Sequence, residues 1–223
     1  GLGDVYKRQY VHSVNVALIA SILGQWLKFS EKDIRILTIS GLLHDIGKIM
    51  IPNEILTKPG KLTVAEYNIM KQHVNFGYEK VKNQNIDIRI KEACLLHHEK
   101  CDGTGYPFGL KSDHIPAVAK IIAIADVYDA MTSARVYRGA LCPFEVIDTM
   151  YKDAFTKFEP EYILPFLKNV ASSYINNDVR LSDGRIGKVV LINENALSLP
   201  IVKCEDEFID LSKTRGLTVS AIL

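Results

Sequence analysis

The hydrophobic pattern of this chain changes period once, near residue 176, and that change limits what it can fold into. Apolar residues recur at helical spacing over residues 11–27 and 34–43. A loop punctuated by Pro52, Pro59 and Gly60 follows. Thr63 and Glu66 form a capping-box pair, and the helix they open is predicted to run to about residue 82. Residues 88–98 read as a further helix that ends in a glycine-rich loop, 102–109. Pro116 opens a helix that turns Ile121, Ile122, Ile124 and Val127 inward, Pro143 opens another, and residues 161–175 close the helical part. Beyond it, residues 179–182, the Asp183-Gly184 turn and residues 185–192 have the pattern of a hairpin, with short strands at 200–204 and 207–211. The expectation is a mainly α chain, with a helical domain over 10–176 and a small β-rich appendage over 177–223. Residues 1–9 begin Gly1-Leu2-Gly3 without a methionine and read as a non-native or truncated tail outside the fold.

Charge and composition exclude several classes of partner. The formal net charge is +1, so no global field draws in a nucleic-acid polymer or an anionic membrane, and affinity for phosphate has to be local. The richest apolar stretch, 117–127, is broken by Lys120 and Asp126 and is too short for a membrane span. Cys94, Cys101, Cys142 and Cys204 show no CxxC spacing, which disfavours a zinc ribbon and fits reduced thiols in the cytoplasm.

The chemistry is carried by the histidines. His44-Asp45 closes an apolar helix and is followed by Ile46-Gly47-Lys48. His97-His98-Glu99 closes another; His12 and His73 lie on helices, and Asp126 lies within the helix opened by Pro116. Imidazoles and carboxylates together are the ligand set that suits iron, manganese, zinc or nickel. Neighbouring helical residues point about 100° apart, so His97 and His98 can reach different ions. Any one of these residues alone is an ordinary helix position.

Together they resemble a known family. His44-Asp45-Ile46-Gly47-Lys48, the run from His97-His98-Glu99 through Asp102-Gly103-Thr104-Gly105-Tyr106-Pro107, and Ala125-Asp126-Val127-Tyr128-Asp129-Ala130 match the HD-GYP pattern in order and spacing, over about residues 10–160. The resemblance implies an HD-domain helical bundle that hydrolyses cyclic di-GMP to pGpG, GMP or both. It implies that His12, His44, Asp45, His73, His97, His98 and Asp126 hold two divalent transition-metal ions, with Asp45 bridging. Iron or manganese is the first expectation, zinc or nickel the second. Such a pair of ions, about 3.5–4 Å apart, supplies a hydroxide near neutral pH and neutralises the phosphoryl oxygens.

The same resemblance gives Lys48 a catalytic and substrate-binding role at the scissile phosphate. It sets Arg135 and Arg138 against the ligand's phosphates or guanine edges, where a planar guanidinium fits. Glu99, Asp102 and Asp129 read as structural, His114 and the Lys58-Pro59-Gly60-Lys61 segment as surface, and the 105–107 loop as a place for a signalling partner. Some family members carry a glutamate one turn before the first histidine that helps hold a third ion; Arg8 stands there, so two ions are expected. A homodimer fits this picture. The alternatives are an HD phosphohydrolase for another nucleotide and a silent module that binds a cyclic dinucleotide without turnover.

Overall fold

The structure is a computed structural model and describes residues 2–133 and 141–223. Its helices are α1 (Leu2–Trp26), α2 (Glu31–Leu43), α3 (Asn53–Leu56), α4 (Val64–Lys71), α5 (His73–Val81), α6 (Ile88–Leu96), α7 (Ala117–Thr132), α8 (Pro143–Asp153) and α9 (Pro160–Ser172). Short 3-10 helices span Ile46–Met50 and Ser112–His114. Helix α1 begins at Leu2, so residues 2–9, which the apolar pattern leaves outside the fold, continue the first helix.

Two glycines set the approach of helices around the centre. A Cβ on Gly41 would lie 2.5 Å from the Ala17 Cα, so the backbones of α1 and α2 touch there. Packing that close brings His12, five residues before Ala17, level with His44, three residues after Gly41. A Cβ on Gly47 would lie 1.9 Å from the His73 carbonyl oxygen and 2.4 Å from the Gly77 nitrogen. Gly47 therefore seats α5 against the 3-10 helix, and with it His73 against Asp45. A side chain at this position would collide with the α5 backbone, so glycine is needed for the close approach.

The single helix expected over residues 63–82 is split. Thr63 and Glu66 do form the capping box, but the helix breaks at Gln72. A side-chain contact from the next residue accompanies the break. The His73 ring takes the Met70 carbonyl, 2.7 Å away, one of the last four carbonyls of α4.

The C-terminal strands β1 (Asp178–Leu181), β2 (Ile186–Leu191), β3 (Ile201–Cys204), β4 (Glu207–Asp210) and β5 (Val219–Ile222) form one antiparallel sheet in the order β4-β3-β2-β1-β5. The expected hairpin is β1–β2, turning at Gly184 with φ +93°. Strand β5 has no counterpart in the sequence reading; it is four residues long and is recruited by pairing with β1. The inner face of the sheet, with Val179, Leu181, Val189 and Val202, joins the same hydrophobic core as Ile121, Ile122, Phe166 and Leu167 of the helices.

Candidate metal centre

Five helices deliver the donors. His12 comes from the middle of α1, His44 caps the C-terminus of α2 with Asp45 next to it, and His73 starts α5. His97 caps the C-terminus of α6 with His98 next, and Asp126 comes from α7. The histidines at helix ends are held by a shared device. The last four carbonyls of a helix lack intrahelical partners. His44 Nδ1 donates to Gly41 O at 2.7 Å, His73 Nδ1 to Met70 O at 2.7 Å, and His97 Nδ1 to Ala93 O at 2.9 Å. A ring that donates from Nδ1 in its neutral form carries its lone pair on Nε2, and all three Nε2 atoms face Asp45.

Asp45 lies at the middle of the cluster. Its Oδ1 is 3.3 Å from His73 Nε2 and 3.9 Å from His97 Nε2. Its Oδ2 is 3.3 Å from His44 Nε2, 3.7 Å from His12 Nε2 and 2.5 Å from Lys48 Nζ. His12 Nε2 is 3.0 Å from Asp126 Oδ1, and His98 Nδ1 is 4.0 Å from Asp126 Oδ2. All seven expected donors therefore converge. They fall into two groups, Asp45 with His73, His97 and His98, and His12 with His44 and Asp126; within each group the donor atoms lie within 4.8 Å of one another.

The protein alone leaves this cluster electrostatically incomplete. His44 Nε2 and Asp45 Oδ1 are buried and have no hydrogen-bond partner among the described residues. His73 Nε2 and His97 Nε2 are 3.5 Å apart, and each presents a lone pair to the other and to a carboxylate oxygen. Buried acceptors facing acceptors are costly unless a cation lies between them. The donor set thus fits divalent metal ions.

Protonation separates His12 from the rings of the other group. Burial pushes His73 down, pushes His97 well below the usual histidine value, and pushes His98 to about 4, so these rings are neutral. Burial also acts to lower His12, but hydrogen bonds to Asp126 and Asp129 outweigh it and raise the ring to about 9. For Asp45, burial is outweighed by Lys48, His44 and His73, which hold the carboxyl well below its ordinary value. Asp126 is likewise lowered, burial being outweighed by His12, His44 and His98.

The loop after His98 is built onto the centre. Glu99 is buried and its carboxylate accepts from the backbone of Phe108 (2.7 Å), Gly109 (3.1 Å) and Leu110 (2.9 Å). Asp102 accepts from the Thr104 backbone and hydroxyl at 2.9 and 2.7 Å. A Cβ on Gly105 would lie 2.4 Å from Glu99 Cα, so only glycine lets the loop fold back there. That contact delivers Tyr106 to the face of His98. His114 is exposed and paired with Asp113, and Lys58 pairs with Glu66 at 2.6 Å. Arg135 and Arg138 lie outside the described residues.

One residue expected to be structural contacts a donor. Asp129 Oδ2 is 2.6 Å from His12 Nδ1. The signal was present in the spacing: Asp129 follows Asp126 by three residues and therefore shares its helix face.

A helical bundle closing on buried histidines and aspartates defines an HD-type fold. The family model described as HD domain matches residues 3–162, and the chain belongs to that family, in its HD-GYP branch. It is 37% identical over 195 residues to the cyclic di-GMP phosphodiesterase PA4108 of Pseudomonas aeruginosa, a match covering 87% of this chain and 47% of that protein. It is 36% identical over 155 residues to the 3'3'-cGAMP-specific phosphodiesterase 2 of Vibrio cholerae, covering 68% of this chain and 30% of that protein. The chain spans less than half the length of either relative. Among solved structures, the HDG"Y"P protein Bd1817 of Bdellovibrio bacteriovorus shares the fold with a TM-score of 0.60 at 23% identity, over 71% of this chain and 51% of that one. Among the described residues no helix is long and apolar enough to cross a membrane.

Proposed function

We propose that this chain is the catalytic region of a metal-dependent phosphodiesterase that hydrolyses cyclic di-GMP. The observation that carries the reading is the pair of adjoining donor groups around Asp45, with buried acceptor atoms that lack a protein partner. Asp45, His73, His97 and His98 would hold one ion and His12, His44 and Asp126 the other, with Asp45 between them. When bound, such ions supply a hydroxide near neutral pH and offset the charge of the phosphodiester. Iron or manganese is our assignment for this imidazole-rich set.

The chain's own residues do the rest. Neutral His73, His97 and His98 offer lone pairs without a proton to displace. Lys48 has a side chain 24% exposed on a buried carboxylate, so its ammonium stands between the centre and solvent. From there it can hold the scissile phosphate and stabilise the leaving oxygen. We assign catalysis to residues 10–176 and place Arg135 and Arg138 on the substrate's phosphates or bases. A cytoplasmic setting, a homodimer and a signalling partner at the 105–107 loop complete the reading; solution mass measurements test the dimer.

Two names among the relatives make the second base the open choice, since one acts on cyclic di-GMP and the other on 3'3'-cGAMP. The deciding experiment supplies manganese or iron to anaerobically purified protein and follows both dinucleotides by chromatography, with elemental analysis of the same sample. Cyclic di-GMP should be consumed faster. Preference for the hybrid dinucleotide would select the second reading, and binding of either without turnover would overturn hydrolysis.

A further inference from the structure

His12 differs from the helix-end histidines in how its outer nitrogen is satisfied. The rings of His44, His73 and His97 donate to backbone carbonyls in the last turn of a helix. His12 lies in the middle of α1, and its Nδ1 is met by a side chain from another helix instead. Asp129 supplies it. This carboxylate is buried and reaches His12 Nδ1 at 2.6 Å through Oδ2. Its other oxygen accepts from Asn15 Nδ2 at 2.8 Å and Ser133 Oγ at 3.0 Å. Two i,i+3 pairs therefore face each other across the α1–α7 contact: His12 and Asn15 on one helix, Asp126 and Asp129 on the other.

We propose that Asp129 is a positioning residue: it fixes the tautomer and direction of the His12 ring and thereby sets the affinity of the cation position formed by His12, His44 and Asp126. The inference rests on the metal-centre reading above. A carboxylate on the outer nitrogen of a ligating imidazole orients the ring and makes its inner nitrogen more basic. Asp129 touches only one of the two donor groups, so its loss acts on one ion. The other group, with His73, His97 and His98, keeps its backbone-held rings.

The test uses the full chain freed of metal and titrated with Mn²⁺ or Zn²⁺ against a chromophoric chelator. The wild type takes up two ions. Asp129→Asn and Asp129→Ala should weaken one of the two by about 10–100-fold and leave the other unchanged. In the zinc-loaded protein, the His12 Nδ1 proton should resonate at low field and move upfield in Asp129→Asn. The proposal is overturned if both variants hold two ions with wild-type affinity. It is equally overturned if both ions are lost together, in step with a lowered melting temperature of the metal-free protein. Should Asp129→Ala not fold, the near-isosteric Asp129→Asn supplies the measurement. A wild type that binds two ions but hydrolyses no cyclic dinucleotide sinks the proposed function and leaves the role of Asp129 standing. A wild type that binds none sinks both.

Discussion

Tyr106 lies over His98 with ring centroids 4.7 Å apart and planes 27° from parallel. His98 has a side chain 26% exposed, more open than His73 and His97 of its donor group, and the tyrosine covers it. Tyr106 itself is placed by Gly105 and tied through its backbone nitrogen to His98 O at 3.2 Å.

The stack predicts that Tyr106→Ala loses about 1 kcal/mol of ring contact and lets His98 rotate. Affinity for the ion held by His73, His97 and His98 should fall several-fold, and Tyr106→Phe, which keeps the ring, should restore it. Metal titration of both variants checks this. Equal loss in Ala and Phe would show that the hydroxyl, and not the stack, matters.

Asp45 and Lys48 touch each other but have different parts in the proposed mechanism. Asp45→Ala removes the carboxylate that faces both donor groups, so metal content and turnover should both collapse. Lys48→Ala removes one electrostatic contact to the phosphate, and turnover should fall about 10²–10³-fold with metal retained. Elemental analysis beside the rate assay separates them; equal metal loss in both variants would contradict the division.

Glu99 has a structural task despite its place in the motif. Glu99→Ala leaves three backbone N–H groups without their acceptor and should destabilise the protein by about 3 kcal/mol, since each lost buried bond costs on the order of 1 kcal/mol. Urea unfolding of the metal-free protein measures it. A loss below about 1 kcal/mol would mean that water replaces the carboxylate there.

Acid stability has a contribution at the start of α6. Asp87 caps that helix and pairs with Arg89, and these hydrogen bonds lower its carboxyl to about 2. A lowered folded value means the contribution is complete above the unfolded carboxyl value, near 3.8, and fades as pH falls towards about 2. Asp87→Ala should therefore cost about 1 kcal/mol at pH 7. The gap from wild type should narrow below pH 4, which unfolding curves across that range would show. A gap constant with pH would assign the loss to packing.

The candidate donors were legible through the resemblance to the HD-GYP pattern, whose motifs fall at helix ends or on helix faces. His44-Asp45 and His97-His98 are recognisable as helix-terminal pairs, and the capping box is read from two residues, Thr63 and Glu66, three positions apart. The break at Gln72 was not legible, because the apolar pattern runs on through it. Strand β5 was not either: four residues carry too weak a pattern until β1 offers them an edge.

What the sequence determined by itself was the inventory: helices first and strands after, and which side chains could hold cations. Tertiary structure alone decided how they meet. Gly41 and Gly47 remove the side chains that would hold α1 from α2 and α5 from the 3-10 helix, and Asp129 reaches a histidine 117 residues away. Such contacts join residues distant along the chain, and their energy comes from close packing and the exclusion of water, neither of which a one-dimensional pattern records.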